Sequence, residues 1–325
     1  MSETELIARV REVRDWMLDN AAGAACEDSV KAHLEGWSDE GKIKGWIDLY
    51  RDGIAPAIPG FEGSQGIDFG CWTGFGTWVL STMGARRAIG VELNHETMDF
   101  GPRWAAHFGL ESVAFACNVG GVIPMTSRSM DWVYVNQVFC NMRPDGYEQA
   151  TGEIARVLRP GGRLVFCDSN NPHCPQTRER LERAYRTREL GNGDALHPEG
   201  VLFKQRMRRI EQLLGTAETD VVERLAQNTC YLGAAELDRA ILTYAHAGIE
   251  PASPFVGGWK VPPVNPATGM AAGNVTDPFW FAARFESLGL EVSINTHPAE
   301  GPSDPLVVHE LMKTSQGFYI LGTKR

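Results

Sequence analysis

Glycines, an acid and an amide stand at intervals that suit a nucleoside-bearing ligand. The stretch IDFGCWTGFG places Asp68, Gly70, Cys71, Trp72, Gly74 and Gly76 at a turn between a short apolar run and a helical one. Glycines there permit positive φ and close backbone approach. Glu92 ends the next apolar run, where a carboxylate can accept two hydrogen bonds from ribose hydroxyls. Asn118 follows the third run, where an amide can read an adenine edge. Further on, FCDSNNPHCP brings Asp168 and His173 together as candidates for a proton acceptor, and His197 in GDALHPEG is a weaker one. Each has a plainer reading. Asp168 can cap a turn, His173 beside Pro172 can be loop surface, and His197 can simply lead into a helix at Pro198.

Ribose and adenine groups occur both in dinucleotides and in S-adenosylmethionine, and the glycine spacing separates the two. A dinucleotide turn wants G-x-G-x-x-G, so that a pyrophosphate meets the helix start. Read from Gly74, the third glycine is Val79; read from Gly70, the middle one is Trp72. A pyrophosphate pocket is disfavoured. A turn without a phosphate to hold can carry a side chain at Trp72, directed into packing or lining a substrate pocket.

The elements that must position these residues alternate. Strands are expected at GIDFG, AIGVEL, SVAFAC, MDWVYVNQ and GRLVFCD, with helices at FGTWVLSTMG, HETMDFGPRWAAHFG and YEQATGEIARVL between them. Short alternation of this kind argues for an α/β fold, a doubly wound and mostly parallel sheet with helices on both faces. The pattern breaks near 175 and returns in FWFAARFESLGLEVSIN and GFYILGTKR, two strands that pair antiparallel across some twenty irregular residues. Residues 1–59 read as an N-terminal helical lid or extension, with Leu6, Val10, Val13 and Met17 on one helix and Trp37, Trp46, Ile47 and Tyr50 on a broken helical pair. Residues 60–174 and 277–325 read as the ligand-binding core. Residues 175–276 read as an inserted helical subdomain, with helices marked by Phe203, Met207, Ile210 and Leu214 and by Leu237, Ile241 and Tyr244, and a Pro/Gly-rich loop over 251–276.

Composition narrows the partners. A net charge of −10 speaks against a nucleic-acid binder. The arginine-rich stretch 178–209 is either a solvated helix face or a dock for an anionic substrate. Seven cysteines without a C-x-x-C pair suggest reduced thiols, and no metal-ligand spacing is visible. No stretch has the length and apolarity of a membrane span, and the N-terminus lacks a secretory pattern, so a cytoplasmic protein is expected.

In this order, the motifs resemble those of the class I S-adenosylmethionine-dependent methyltransferases, a Rossmann-like family. IDFGCWTGFG is similar to the family's first motif apart from Trp72. IPMTSRSMDWVYVNQVF resembles its entry to the fourth strand, EIARVLRPGGRLVF its entry to the fifth, and FESLGLEV a late helix-glycine-strand step. The resemblance implies S-adenosyl-L-methionine as cofactor. It implies that backbone at Gly70, Cys71, Trp72 and Gly74 faces the methionine and ribose, Asp68 the amino group and Glu92 the ribose. Leu93, Asn118 and Val119 then lie by the adenine, and Asn136 and Gln137 near the methyl. Asn118 departs from a frequent aspartate. NNPH resembles the motif of DNA amino-methyltransferases but follows the fifth strand rather than the fourth. NNP and HPEGVLFKQR resemble stretches of bacterial methyltransferases of surface glycans. The expectation is O-methylation of a small molecule, sugar or glycan end. The alternatives are a nicotinamide-dependent oxidoreductase and a non-catalytic, partner-binding member of the fold. The oligomeric state stays open, a homodimer among the options.

Overall fold

The computed structural model describes residues 2–21, 30–31, 34–93, 100–119, 121–190, 201–215, 218–251, 255–256, 259–260, 262–264, 273–298 and 304–325. Its centre is a seven-stranded sheet. The strands are β1 (Gln65–Phe69), β2 (Arg87–Glu92), β3 (Val113–Cys117), β4 (Met130–Asn136), β5 (Leu158–Asp168), β8 (Leu290–Asn295) and β9 (Phe318–Lys324). A separate two-residue hairpin, Phe255–Val256 with Trp259–Lys260, supplies β6 and β7. The spatial order is β3-β2-β1-β4-β5-β9-β8. The first five strands pair parallel, while β9 runs antiparallel to both neighbours, β5 and β8. The chain therefore reverses its winding between β1 and β4. In an open sheet that is where ligands meet the carboxyl ends of the strands.

The apolar pattern explains why these strands sit inside. Trp132, Val133, Tyr134 and Val135 of β4 are all buried, as a strand covered on both faces requires. One face packs on the N-terminal helices α1 (Glu3–Ala21) and α2 (Glu40–Asp48), with α3 (Phe75–Thr82) and α4 (Phe100–His107). The other packs on α5 (Tyr147–Val157), and further helices, α10 (Pro278–Ser287) and α11 (Pro305–Met312), cover it near the end of the chain.

Two boundaries differ from the sequence expectation. The RPGG stretch lies within β5, which begins at Leu158 and takes up a register shift against β4 between Met130 and Trp132. The connection from β8 to β9, expected to be irregular, contains α11, whose start is capped by Asp304 accepting from the Leu306 amide at 2.8 Å. Asp-Pro before an apolar run was the signal for it.

Among the described residues, the inserted block holds four helices, α6 (Pro175–Leu190), α7 (Val201–Leu214), α8 (Thr219–Asn228) and α9 (Ala234–Ala247). Only α7 and α9 had been marked by their apolar spacing. Helices α7 to α9 share their own apolar cluster, including Phe203, Ile210, Leu225 and Ile241. His197, residues 94–99 of the expected fourth helix and much of the Pro/Gly-rich loop lie outside the described residues. Among the described residues, no helix is long and apolar enough to cross a membrane.

Candidate functional site

The turn after β1 is built from three successive-but-one residues in the left-handed region, Gly70 (φ 75°), Trp72 (φ 54°) and Gly74 (φ 80°). For a bulky residue such a φ costs on the order of 1–3 kcal/mol and persists only where surroundings enforce it. Here they do. The Trp72 amide donates to Glu92 Oε2 at 2.9 Å, and the Trp104 indole donates to the Thr73 carbonyl at 2.9 Å. The Gly70 and Cys71 amides both donate to the Val91 carbonyl, and the Gly74 amide to that of Cys71.

The glycines of the turn leave space where a side chain would otherwise stand. They clear it for the protein's own side chains. A Cβ on Gly70 would lie 2.3 Å from Val138, one on Gly74 2.0 Å from Phe115, and one on Gly76 2.5 Å from the Tyr50 hydroxyl. Phe115 also fills the places of a Cβ on Gly90 and Gly101. A β3 aromatic, a β4 loop valine and a tyrosine from the N-terminal helices thus wedge the turn in place. Nothing local in the sequence marks Tyr50, Phe115 or Val138 for this.

Asp68 is buried beneath the turn, where it accepts from Thr77 Oγ1 at 2.7 Å. Burial pushes its carboxyl up to about 7; the Thr77 bond opposes this and the charge of Glu92 adds to it. Burial also raises the Cys71 thiol well above its ordinary range, so Cys71 is a packing group. Glu92 closes the rim with its second oxygen, Oε1, which accepts from the Leu93 amide at 2.7 Å.

Next to it, the Asn118 amide donates to the Glu92 carbonyl at 2.8 Å. The side-chain Oδ1 of Asn118 is buried and, among the described residues, has no hydrogen-bond partner. Buried acceptors are almost always paired, so this oxygen calls for a donor from a ligand. Leu93 and Val119 flank it as apolar side chains 58% and 66% exposed.

The atoms left available decide which ligand fits. A diphosphate needs free N–H groups and no nearby carboxylate. This turn has committed the amides of Gly70, Cys71, Trp72 and Gly74, and it holds two acids, Asp68 and Glu92. It suits a cationic nucleoside whose amine can donate to Asn118.

Residues 67–166 match the family model described as "Methyltransferase domain". The core of this chain is a class I, Rossmann-like methyltransferase domain. Its cofactor is S-adenosyl-L-methionine. Among curated relatives, the chain is 31% identical over 105 residues to the ribosomal protein L11 methyltransferase of Sorangium cellulosum, covering 32% of this chain and 31% of that one. It is 26% identical over 110 residues to a demethylmenaquinone methyltransferase of Tropheryma whipplei, covering 34% and 44%. It is 25% identical over 172 residues to the O-methyltransferase rstn1 of Aspergillus nomiae, covering 50% and 75%. The chain thus spans less than half the length of the first two. A solved structure similar to it is the PH0226 protein of Pyrococcus horikoshii, 11% identical over 88% of this chain and 93% of that one, with a TM-score of 0.47.

At the methyltransferase core's β4 and β5 ends, the expected acid–base pair is not assembled. Asp168 has no exposed surface, and its carboxylate accepts from the amides of Cys140 at 3.1 Å and Ser169 at 2.7 Å. Burial pushes it up to about 6, with those two amides opposing. His173 points elsewhere. Its Nε2 lies 3.1 Å from Asp277 Oδ1, and its ring meets Phe279 edge to face at 5.0 Å. Asn136 is half-buried at the end of β4. Gln137 follows it, exposed and at φ 54°. Its side-chain oxygen accepts from Ser169 Oγ at 3.2 Å.

Proposed function

We propose that this chain transfers a methyl group from S-adenosyl-L-methionine to an oxygen atom of a small molecule, a sugar or glycan end included. The observation that carries the donor side is the turn with its amides committed and two acids beneath and beside it. Bound there, the donor supplies a methyl group already activated on a sulfonium. In this reading Glu92 accepts from the ribose hydroxyls, Asn118 Oδ1 accepts from the adenine amine, and Leu93 and Val119 cover the base. Asp68 steadies the turn through Thr77 and sits near the amino group. Gly70, Cys71, Trp72 and Gly74 shape the wall along the methionine portion, and Asn136 and Gln137 face the methyl. Asp168 and His173 act as positioning residues, the first joining the loops after β4 and β5 and the second tying the β5 loop to α10.

The oxygen acceptor is supported by the Aspergillus O-methyltransferase, of whose length the match covers 75%. The inserted helices supply surface for an acceptor larger than a bare hydroxyl. Calorimetric titration of the folded protein with S-adenosyl-L-methionine tests the donor half. Binding at sub-millimolar concentration is expected; no heat at near-millimolar donor would end this reading. Label transfer from methyl-labelled donor to an acceptor panel then tests the oxygen.

A further inference from the structure

The carboxyl ends of β4 and β5 carry a second polar cluster, which meets the proposed donor site at Gln137. Arg180, on α6, reaches back over the end of β5. Its Nη2 donates to the Ser169 carbonyl at 2.8 Å and to Asn170 Oδ1 at 2.7 Å. Both anchors are neutral. Among the described residues no carboxylate lies within salt-bridge distance of Arg180, whereas its helix neighbour Arg178 pairs with Glu182 at 3.1 Å. Arg180 is exposed and its guanidinium is anchored through Nη2; among the described residues, its Nε and Nη1 have no hydrogen-bond partner and stay available to a ligand.

Gln137 stands beside it. Residues Asn136 and Cys167 are register partners, so the residues that follow them, Gln137 and Asp168–Ser169, emerge side by side. The Gln137 backbone is held in the left-handed region by its amide donating to the Cys167 carbonyl at 2.9 Å and its carbonyl accepting from Asn141 Nδ2 at 2.9 Å. Backbone strain on a non-glycine residue concentrates at sites of function. Among the described residues, non-glycine left-handed positions are Trp72, Gln137 and Arg128. Two of the three flank the β1–β4 reversal. Gln137 is exposed, and with one lone pair of its oxygen taken by Ser169 Oγ its amide N–H groups face outward as donors. The mouth beside the proposed methyl position thus pairs amide donors with one positive charge, inside a chain of net charge −10. An anionic group would accept from those donors and offset that charge, which a neutral hydroxyl would not.

We propose that Arg180, with Gln137 beside it, binds an anionic group of the methyl acceptor, a carboxylate or a phosphate ester. This rests on the methyltransferase reading and names its substrate class. The test loads the protein with S-adenosylhomocysteine and then titrates benzoate, phenyl phosphate and, as the neutral match, benzyl alcohol. Failure of S-adenosylhomocysteine itself to bind would defeat the methyl-transfer reading before any anion is added. Given donor-product binding, at least one anion is expected to bind at millimolar concentration or below and benzyl alcohol at least tenfold more weakly; which anion wins identifies the group. Arg180→Met is expected to weaken that anion at least tenfold, with Arg180→Lys between, and S-adenosylhomocysteine affinity unchanged within twofold. A residue that only staples the 169–170 loop would instead alter S-adenosylhomocysteine binding and thermal stability together. Gln137→Leu, which leaves Arg180 intact, is expected to weaken the anion about threefold. Equal binding of anion and alcohol, no anion binding, or anion binding indifferent to both variants overturns the proposal.

Discussion

Individual residues of the donor turn act mainly by occupying one another's space. Gly74 is left-handed and has Phe115 where its Cβ would be, so Gly74→Ala adds both strain and overlap. Overpacking of this kind costs about 1–3 kcal/mol, with about 1 kcal/mol or more for the φ. Gly74→Ala should therefore lower the melting temperature. Adding Phe115→Ala should recover part of the loss, because the overlap goes and the strain stays. A double-mutant cycle by chemical denaturation measures the coupling, and strictly additive effects would contradict the wedge. Glu92 has two tasks, since its carboxylate also holds the strained Trp72 amide. Glu92→Ala should weaken S-adenosyl-L-methionine binding at least tenfold, about 1.4 kcal/mol, by calorimetry. Unchanged affinity would mean the ribose is held elsewhere. The types and spacing of Asp68, Glu92 and Asn118 were readable from the chain, because turn and strand-end chemistry is local. That Asn118 keeps a buried oxygen unpaired among the described residues was not.

Among elements, the N-terminal helices behave as part of the core rather than as a detachable cover. Val10, Val13, Met17, Ile43 and Ile47 join the apolar cluster that also holds Phe75, Trp78 and Trp104 of the methyltransferase core. Trp37 meets Phe75 edge to face at 4.5 Å. Removing residues 1–59 should expose that face and yield an aggregating chain by size-exclusion chromatography; a monomeric, folded truncation would restore the lid reading. The insertion is different, since α7 to α9 pack on a cluster of their own. Arg206 lies fully buried there, donating to the carbonyls of Ala226, Cys230 and Val264, with Nε unpartnered. Desolvation lowers the guanidinium to about 10. The residue is a staple from α7 to the end of α8 and to the Pro/Gly segment at Val264. Arg206→Ala removes that donor from all three carbonyls, of which Cys230 keeps the Val264 amide; each carbonyl left unsatisfied costs about 1–3 kcal/mol. Proteolysis between α9 and α10 should quicken while the sheet stays protected, a local opening rather than global unfolding. Helix α6 escaped the apolar spacing because it buries mainly Leu181 and Tyr185 amid charged residues.

For the whole molecule, two buried carboxyls set the pH response. Asp68 and Asp168 are raised from 3.8 to about 7 and about 6. Between about pH 4 and those values the folded chain holds protons the unfolded chain has released, so stability falls as pH rises through that window. For Asp68 the shift corresponds to roughly 4 kcal/mol as an order of magnitude. Glu153 and Glu236, held low chiefly by Arg156 and Arg143, work the other way and lose their contribution as pH falls toward the ordinary carboxylate range and below. Denaturation midpoints should therefore peak near pH 5, decline toward about pH 7 and level off above it. Asp68→Asn should flatten that decline; an unaltered slope would show that the raised group lies elsewhere.

The sequence by itself determined the alternating strands, the α/β class and the order of the family's motifs. Those are written in runs of a few residues, as apolar periodicity and turn chemistry. The tertiary structure alone decided that the turn's glycines make room for Val138, Phe115 and Tyr50, that Asp168 is sealed away, and that Arg180 and Gln137 meet over Ser169. Each of these joins residues brought close only by folding, and no local pattern records which distant side chain will fill a gap or take a proton.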